Sequence, residues 1–396
     1  MRGKVAIVGI GVSNAGVRPD ASQEDLLVEA GTKAISSSGM QPEDIQASWF
    51  GCTTVSANHA LLNFSLKLGY TSMTKVSNAG ATGADVLRNA YLAVASGIYD
   101  VVLAAGVEKP TDSGFTHINE GDPLSTGSSA VGTDAVVGSM RGGADSGLYL
   151  TRYQRDYQID TESLRDALNR IVMRSRKAGE ANPAAWLRSS VTLDDFAQAQ
   201  LTVPPLTNLD ACEALDAAAA IVVASPKAAQ QLGRPYVILE GFGMSSGGSE
   251  GRLRQAYGYT GVPETELAAQ RAYDMAGINE PGKLIDHAEI FDFTSASELL
   301  AYEDLGLAPR GKAVSMILDG SLAEEGILRV NSDGGLLSNG YQAGASGLRQ
   351  VCESVVQLLG GAGQRQLPDV NWSLVQTLGG SVGSFSSTVQ LLRADE

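Results

Sequence analysis

The sequence predicts an α/β fold made of two similar halves, because an apolar strand with two glycines and the helix after it occur twice. Residues 5–14 read VAIVGIGVSN and residues 237–246 read VILEGFGMSS, with glycines at the same two offsets. The helical patterns that follow, 23–38 and 264–276, each end at a glycine with a proline a few residues beyond, which is a helix stop signal. Strands that alternate with helices predict mostly parallel sheets covered on both faces.

The later elements of each half follow the same order. A second strand is predicted at 47–54 in the first half and at 287–294 in the second. Each half then has a Gly-rich turn that opens a helix, SNAGATG at 77–83 and GGLLSNGYQAGASG at 334–347. The remaining predicted segments are the helices 84–96 and 348–359 and the strands 100–105, 218–224, 374–378 and 384–392. We therefore expect an N-terminal half over 1–232 and a C-terminal half over 233–396.

A long segment of the first half, about 110–205, has no counterpart in the second. It is rich in Gly, Ser and Asp over 121–147 and has a helical pattern over 161–176. Long insertions of this kind usually carry ligand contacts, and we expect the same of this one.

Composition excludes several classes of partner. The formal net charge is −15, so electrostatic binding to nucleic acid is not expected. The three cysteines are far apart, which predicts neither a disulfide framework nor a metal site. No stretch approaches the ~20 apolar residues that a membrane span needs, and we expect a reduced, cytoplasmic protein. The G9-I-G11 pair lacks the third glycine of a dinucleotide fingerprint and is interpreted as helix–strand packing.

The two Gly-rich turns are the strongest candidates for a functional site. A strand–turn–helix junction exposes its turn residues, and the amides of the helix N-terminus there favour negative charge. Two such turns, one in each half, predict a single shared site.

Several motifs together resemble the thiolase superfamily, in its sterol-carrier-protein and lipid-transfer-protein branch. They are S77-N-A-G-A-T-G83, A104-A-G-V-E-K109, D216-A-A-A-A-I-V-V-A-S225, E298-L-L-A-Y-E-D-L-G-L307 and N339-G-Y-Q-A-G-A-S-G347. The resemblance implies a five-layered αβαβα thiolase fold with an inserted loop domain, usually dimeric. It also implies acyl-CoA substrates and neither a cofactor nor a metal.

The departures from the family pattern fall on its reactive residues. Gly80 stands where such a thiolase has its nucleophilic cysteine, and F291-D-F293-T replaces H-D-C-F. G340-Y341-Q replaces G-H-P, and the last Gly-rich turn, L378-G-G-S-V-G383, contains no cysteine. Because Claisen exchange needs a thiolate and a base, ordinary thiolase activity is not expected. Cys52, Cys212 and Cys352 are predicted to be buried hydrophobic residues, and His59, His117 and His287 to be structural or exposed.

The chain is similar to the steroid side-chain aldolases, which also lack the cysteine and carry tyrosine at the position of Tyr341. Those enzymes work with a small zinc-ribbon/OB-fold partner, and they have a tyrosine where this chain has Phe291. The resemblance implies Tyr341 as acid/base, with Asp292 or Tyr302 as a further proton carrier, and backbone amides near Gly80 and Gly380 around the thioester oxygen. The predicted substrate-binding residues are Asn78, Gly80, Phe291, Phe293, Gly340, Gly344, Gly379 and Gly380.

Three functions stay open from the sequence. The first is a cysteine-free enzyme that makes or breaks a carbon–carbon bond in an acyl-CoA by aldolase-type chemistry. The second is a non-catalytic acyl-CoA or lipid-binding subunit, and the third is an acetyl-CoA acyltransferase with a displaced nucleophile. The expected partners are the acyl-CoA, a second copy of the chain and a small zinc-ribbon/OB-fold protein.

Overall fold

The computed structural model describes residues 5–53, 60–113, 144–248, 257–322, 326, 328–380 and 383–395. The strands in these ranges are β1 Val5–Val12, β2 Ala47–Gly51, β3 Ser72–Val76, β4 Val101–Glu108, β5 Leu201–Val203, β6 Leu206–Thr207, β7 Ala217–Ala224, β8 Val237–Ser246, β9 His287–Glu289, β10 Arg329–Val330, β11 Trp372–Gly379 and β12 Ser386–Ala394. The α-helices are α1 Gln23–Ser38, α2 Leu61–Leu66, α3 Thr82–Ala95, α4 Ala144–Tyr157, α5 Thr161–Ala181, α6 Leu193–Gln198, α7 Pro226–Gln231, α8 Pro263–Ala276, α9 Pro281–Leu284, α10 Ser295–Asp304, α11 Ala313–Leu318, α12 Gly335–Asn339 and α13 Ser346–Leu358.

The sheet order shows the duplication that the sequence predicts. Apart from the small β5–β6 pair, the strands form one hydrogen-bonded order, β10-β9-β11-β12-β8-β1-β7-β4-β2-β3. The first half contributes β1, β2, β3, β4 and β7 in chain order, and the second contributes β8 to β12. From either edge of the sheet inward, the strands are the third, second, fourth, fifth and first of their half. The two halves join where β1 pairs antiparallel with β8, through Val5 opposite Leu239 and Ile7 opposite Val237.

Helices cover and separate the two halves of this order. α1 packs on β1 and β7, and α8 packs in the equivalent way on β8 and β12. α3 and α13 contact each other and strands of both halves, so they form a middle layer. The arrangement is the five-layered αβαβα thiolase fold that the sequence predicts.

The repeated glycine pair explains how closely the outer helices approach the strands. A Cβ on Gly9 or Gly11 would overlap the carbonyl oxygen of Ala34 or Ala30 in α1. A Cβ on Gly241 or Gly243 would likewise overlap the carbonyl oxygen of Ala272 or Ala268 in α8. Any larger residue would push the helix off the sheet, which confirms the packing interpretation of the first pair.

Helix ends follow the stop and start signals in the sequence. Ser22 caps α1 in a capping box, where its hydroxyl accepts from the amide of Asp25 at 3.1 Å and Asp25 accepts in return at 2.9 Å. Gly39 ends the helix with φ of 78°. These signals place α1 at the predicted bounds, 23–38.

The prediction of mostly parallel sheets is wrong. Only the β2–β3, β2–β4, β9–β10 and β9–β11 pairs are parallel among the described strands, whereas β1, β7, β8 and β12 pair antiparallel with their neighbours. The β11–β12 pair shows one reason: the two strands are consecutive in the chain and only residues 380–385 separate them, whereas parallel neighbours need a longer crossover connection.

The predicted strand 287–294 is also too long, since β9 ends at Glu289. Thr294 is already the N-cap of α10, and its hydroxyl accepts from the amide of Ser297 at 3.1 Å. Residues 290–293 are therefore a connection at the end of the strand, where side chains can leave the sheet.

The insertion packs mainly on the second half. α5, the longest helix described, contacts α10, α11 and α12. Residues 114–143, in which much of the predicted Gly-rich part falls, lie outside the described ranges. The division at 232/233, between α7 and β8, stays a prediction.

Candidate active site

The two Gly-rich turns meet at the start of the middle helices. A Cβ on Gly83 would come within 3.1 Å of the amide nitrogen of Gly347, and one on Gly347 would come within 2.6 Å of that of Ala84. α3 and α13 thus begin side by side, and only glycine permits this approach. The positive ends of two helix dipoles lie together at this point of the molecule.

The first turn presents its backbone rather than its side chains. The amide group of Asn78 donates to Asp85 at 2.5 Å, and its backbone N–H donates to the hydroxyl of Thr82 at 2.7 Å. Ala79 adopts a left-handed φ of 48°, which is uncommon for a residue with a Cβ. The side chain of Asn78 is therefore committed to α3, and the residue next to Gly80 is strained.

Gly80 itself lies under the last Gly-rich turn. A Cβ at this position would overlap the carbonyl oxygen of Leu378 and lie 3.0 Å from the Cζ atom of Phe291. A Cβ on Gly379 would in turn lie 2.6 Å from the amide nitrogen of Ala81. The backbones of the two turns are in direct contact, and position 80 has no room for a cysteine side chain unless Leu378 moves.

Three aromatic rings stand over this contact. Phe291 and Phe293 are stacked, with centroids 6.4 Å apart and planes at 5°. Tyr341 meets both edge-on, at centroid distances of 6.0 and 5.5 Å. Phe291 is buried, while Phe293 and Tyr341 are half-buried and offer part of their surface to a ligand. The apolar cluster is completed by Cys212, Ala214, Leu336 and Leu378.

The backbone of Tyr341 is held on both sides. Its N–H donates to the carbonyl of Glu213 at 2.7 Å, and its carbonyl accepts from the N–H of Leu215 at 3.1 Å. Gly340, with φ of 75°, provides the turn from α12 into this segment, and a Cβ there would strike Leu215. The role of Gly340 is therefore to set the position of Tyr341.

Asp292 points away from the rings, into the N-terminus of α12. It is completely buried, and its carboxylate accepts from the amides of Leu336 at 2.6 Å and Leu337 at 3.3 Å. Burial and the nearby Glu298 raise the pKa of Asp292 to about 7, although the two amides act in the opposite direction. Its use as a proton carrier stays a prediction, and its contacts are those of a helix cap.

Tyr302, the other candidate proton carrier, lies in a separate buried group. Its hydroxyl donates to Glu298 at 2.6 Å and accepts from Arg174 at 2.9 Å. Burial raises the pKa of Tyr302 well above its usual value. Neither observation places this hydroxyl at the aromatic cluster.

Gly344 joins the two halves through its backbone, and its contact with a substrate stays a prediction. Its N–H donates to the carboxylate of Glu108 at 3.1 Å, and the same carboxylate accepts from the N–H of Thr53 at 3.0 Å. A Cβ on Gly106 would overlap the carbonyl of Gly344. In the sequence Glu108 stood out only as part of a family motif. No spacing pattern predicted that its carboxylate connects the two halves.

All three cysteines are buried, as the sequence predicts. Cys212, which sequence reasoning left outside the site, belongs to the aromatic cluster, and its N–H donates to the carbonyl of Phe293 at 3.1 Å. Burial, with the charge of Asp292, raises the pKa of the Cys212 thiol well above its usual value, and burial raises the pKa of Cys352 to about 12. Both are held as thiols, which are poor nucleophiles.

His287 is a structural histidine. It is fully buried and its ring nitrogens lie 2.8 Å from the hydroxyl of Ser373 and 3.1 Å from that of Ser332. Burial lowers the pKa of His287 to about 4, so it is neutral. His59 and His117 lie outside the described residues.

The geometry suits a reaction at a carbonyl group. Helix N-termini and turn amides favour a developing negative charge, and one tyrosine hydroxyl stands beside apolar rings. Within the described residues, no cluster of His, Cys, Asp and Glu has the geometry of a metal site. No helix there is both long enough and apolar enough to cross a bilayer.

Comparison with known proteins gives a consistent result. Residues 247–392 match the family described as thiolase C-terminal domain-like. The acetyl-CoA acetyltransferase of Methanothermobacter thermautotrophicus is 30% identical over 386 residues, which cover 96% of this chain and 97% of that protein. The steroid side-chain-cleaving aldolase of Thermomonospora curvata is 29% identical over 392 residues, or 94% of each chain. A solved Ltp2-ChsH2(DUF35) aldolase has a TM-score of 0.83 at 26% identity and covers 100% of this chain and 98% of its own.

Proposed function

Since the chain belongs to the thiolase superfamily, we propose that it acts on acyl-CoA thioesters by aldolase-type carbon–carbon bond chemistry, with Tyr341 as acid/base and without a cysteine nucleophile. Both kinds of relative, the acetyltransferase and the aldolase, support thiolase-like action on a CoA ester. The observation that favours the aldolase is the surroundings of Gly80. A covalent acyl-enzyme needs a side chain there, whereas the backbone of Leu378 fills that position.

The proposed reaction needs only the groups that this site offers. In the cleavage direction, Tyr341 as phenolate accepts the proton of a β-hydroxyl group, and the bond between the α and β carbons breaks. The β carbon leaves as a carbonyl product, and the electron pair moves to the thioester as an enolate. Turn amides near Gly80 and Gly380 stabilise the enolate oxygen, and the α carbon then takes the proton from the hydroxyl of Tyr341, which restores the phenolate.

We propose Asn78, Gly340 and Gly344 as scaffold rather than ligand contacts, because their polar groups are engaged within the chain. Phe291 and Phe293 would line the acyl group. The proposed assembly is a homodimer with a small zinc-ribbon/OB-fold partner, because the solved aldolase of similar structure contains a ChsH2(DUF35) component.

The test is turnover of a panel of β-hydroxyacyl-CoA esters by the purified chain, alone and with a candidate partner, followed by mass spectrometry of the products. We expect a shortened acyl-CoA and one equivalent of aldehyde or ketone. Intact protein mass after exposure to acetyl-CoA should be unchanged. A stable acetyl adduct on a cysteine would instead establish the acyltransferase with a displaced nucleophile.

A non-catalytic acyl-CoA-binding subunit is the second candidate. The replacement of both reactive positions of the H-D-C-F pattern by Phe291 and Phe293 favours it, because two phenyl rings bind apolar groups and transfer no protons. Tight binding of acyl-CoA by calorimetry, with no product from any ester in the panel even with the partner, would establish this role and contradict the aldolase.

A further inference from the structure

Arg176, in the C-terminal third of α5, is buried, and its side chain has no partner among the residues that the structure describes. Its side chain and backbone together are 8% exposed, and its Nε atom is fully enclosed with no hydrogen bond. Within the described residues it makes no ion pair. Two residues earlier, Arg174 pairs with Glu298 and Tyr302. A largely buried guanidinium whose Nε makes no hydrogen bond costs folding energy, so its position calls for a physical reason.

The contacts of α5 place Arg176 beside the helix that leads to Tyr341. The carbonyl of Ser175 accepts from the hydroxyl of Ser338 at 3.0 Å, and a Cβ on Gly179 would lie 2.6 Å from the Cβ of the same serine. Ser338 belongs to α12, which ends two residues before Tyr341. Arg176 thus lies on α5 between the two residues that contact α12.

Glu213 is the acidic residue whose charge affects the pKa of Arg176, but the two side chains form no ion pair in the described part of the chain. Burial lowers the pKa of Arg176 and the charge of Glu213 raises it. The carboxylate of Glu213 accepts instead from the indole N–H of Trp186 at 2.9 Å. Its backbone carbonyl accepts from the N–H of Tyr341. The guanidinium therefore lies within electrostatic reach of Glu213, whose backbone holds Tyr341, and no hydrogen bond joins it to any described residue.

We propose that Arg176 is the anchor of an anion subsite that binds a carboxylate or phosphate group of the CoA-ester ligand. This inference rests on the proposed function only in assigning the anion to that ligand. A guanidinium presents five N–H donors in a planar fork that fits two oxygens of either group. The anion is either a phosphate of CoA or a carboxylate at the far end of the acyl group.

The experiment compares the full-length wild type with Arg176→Met, Arg176→Lys and a control, Arg188→Met, which removes the same charge from an exposed position. Calorimetry measures the affinity for butyryl-CoA, butyryl-pantetheine and succinyl-CoA. We expect Arg176→Met to lose at least about tenfold in affinity for the ligand with the matching anion, with Arg176→Lys intermediate and the control unchanged. Loss for butyryl-CoA but not for butyryl-pantetheine identifies a phosphate, and loss for succinyl-CoA alone identifies a carboxylate.

Thermal unfolding without ligand separates a subsite from a structural role. Because the substitution removes an unpaired buried charge, the Tm of Arg176→Met should equal or exceed that of the wild type. A lower Tm with all three affinities unchanged would overturn the inference while leaving the proposed function intact. If the wild type binds none of the esters, the proposed function fails. The subsite is then judged by inorganic phosphate and succinate, which should raise the Tm of the wild type and the control but not of Arg176→Met; no such difference would overturn it.

Discussion

The two halves share a backbone plan but divide the chemistry of the site unequally. The turn of the first half contributes Gly80 and neighbouring amides, and the side chain of Asn78 is bound to Asp85. The second half contributes Tyr341, both phenylalanines and the buried carboxylate of Asp292. Both halves thus keep a glycine turn followed by a helix N-terminus, which supplies backbone amides. The side chains proposed for proton transfer and for lining the acyl group lie in the second half, whereas the proposed anion-binding residue, Arg176, belongs to the insertion of the first.

The largest effect should come from Tyr341, the proposed acid/base of the second half. Tyr341→Phe is expected to lower kcat by ~10²–10⁴ with any ester that the wild type cleaves, because it removes a general acid/base but keeps the ring. Steady-state kinetics check it, with Tyr70→Phe, at a fully exposed tyrosine of the first half, as the matched control. An unchanged kcat would show that the hydroxyl of Tyr341 is not the proton carrier.

Substitution of the equivalent glycines should destabilise the protein equally in the two halves. Gly11→Ala and Gly243→Ala each force a Cβ onto a helix carbonyl, so each should lower the free energy of unfolding by about 3 kcal/mol. Urea denaturation measures this. Gly361→Ala is the control, because its nearest neighbour atom would lie 3.6 Å away. A large loss in one half and none in the other would mean that the glycine pairs are not equivalent.

The buried acid of the second half should make stability depend on pH. Burial raises the pKa of Asp292 to about 7, so the folded protein keeps a proton that the unfolded chain loses near pH 4. The stability from this proton is complete below about pH 4 and is lost as pH rises through about 7. Asp292→Asn cannot ionise, and its unfolding free energy should fall less between about pH 5 and pH 8.

The same titration in Asp319→Asn, at a surface carboxyl, is the control for Asp292. Burial also raises the pKa of Asp304 to about 7, so part of the decline should remain in both variants. Equal slopes for Asp292→Asn and the wild type would show that Asp292 does not hold its proton in this range.

The smallest effect is expected at the cysteine that lies in the aromatic cluster. Cys212→Ala should leave kcat within about threefold of the wild type, because a buried thiol of raised pKa is not a nucleophile. Loss of turnover by several orders of magnitude, together with an acyl adduct on Cys212 in the wild type, would move the chemistry to this residue.

Local signals in the sequence were enough to predict the repeated elements. The bounds of α1 follow from Ser22, Asp25 and Gly39, and the order of the predicted strands and helices follows from apolar periodicity. The third strand of each half, β3 or β10, was not predicted. Strand direction does not follow from periodicity, because it depends on how each connection returns to the sheet. β9 is shorter than its apolar run suggests, since Thr294 starts a helix that competes for the same residues.

The site was predictable as a meeting of two turns, but the direction of each side chain was not. Motif position in the sequence selected both Asp292 and Tyr341. Only the tertiary contacts show that Asp292 caps α12 and that Tyr341 lies beside the phenylalanine rings. Cys212 and Arg176 lie far from the motif turns in the chain. Their position near Tyr341 depends on the bridge between Ala214 and Tyr341 and on the packing of α5 against α12.

The contact between Gly80 and Leu378 has a consequence for biogenesis on the ribosome. The first turn is synthesised almost three hundred residues before the strand that covers it, and β12 has to enter between β8 and β11 to complete the order. An emerging N-terminal half therefore exposes its middle helix and its glycine turn until nearly the whole chain has been released. Such late, long-range closure is slow and leaves apolar surface open to association, which makes a chaperone or an early-binding partner important for yield.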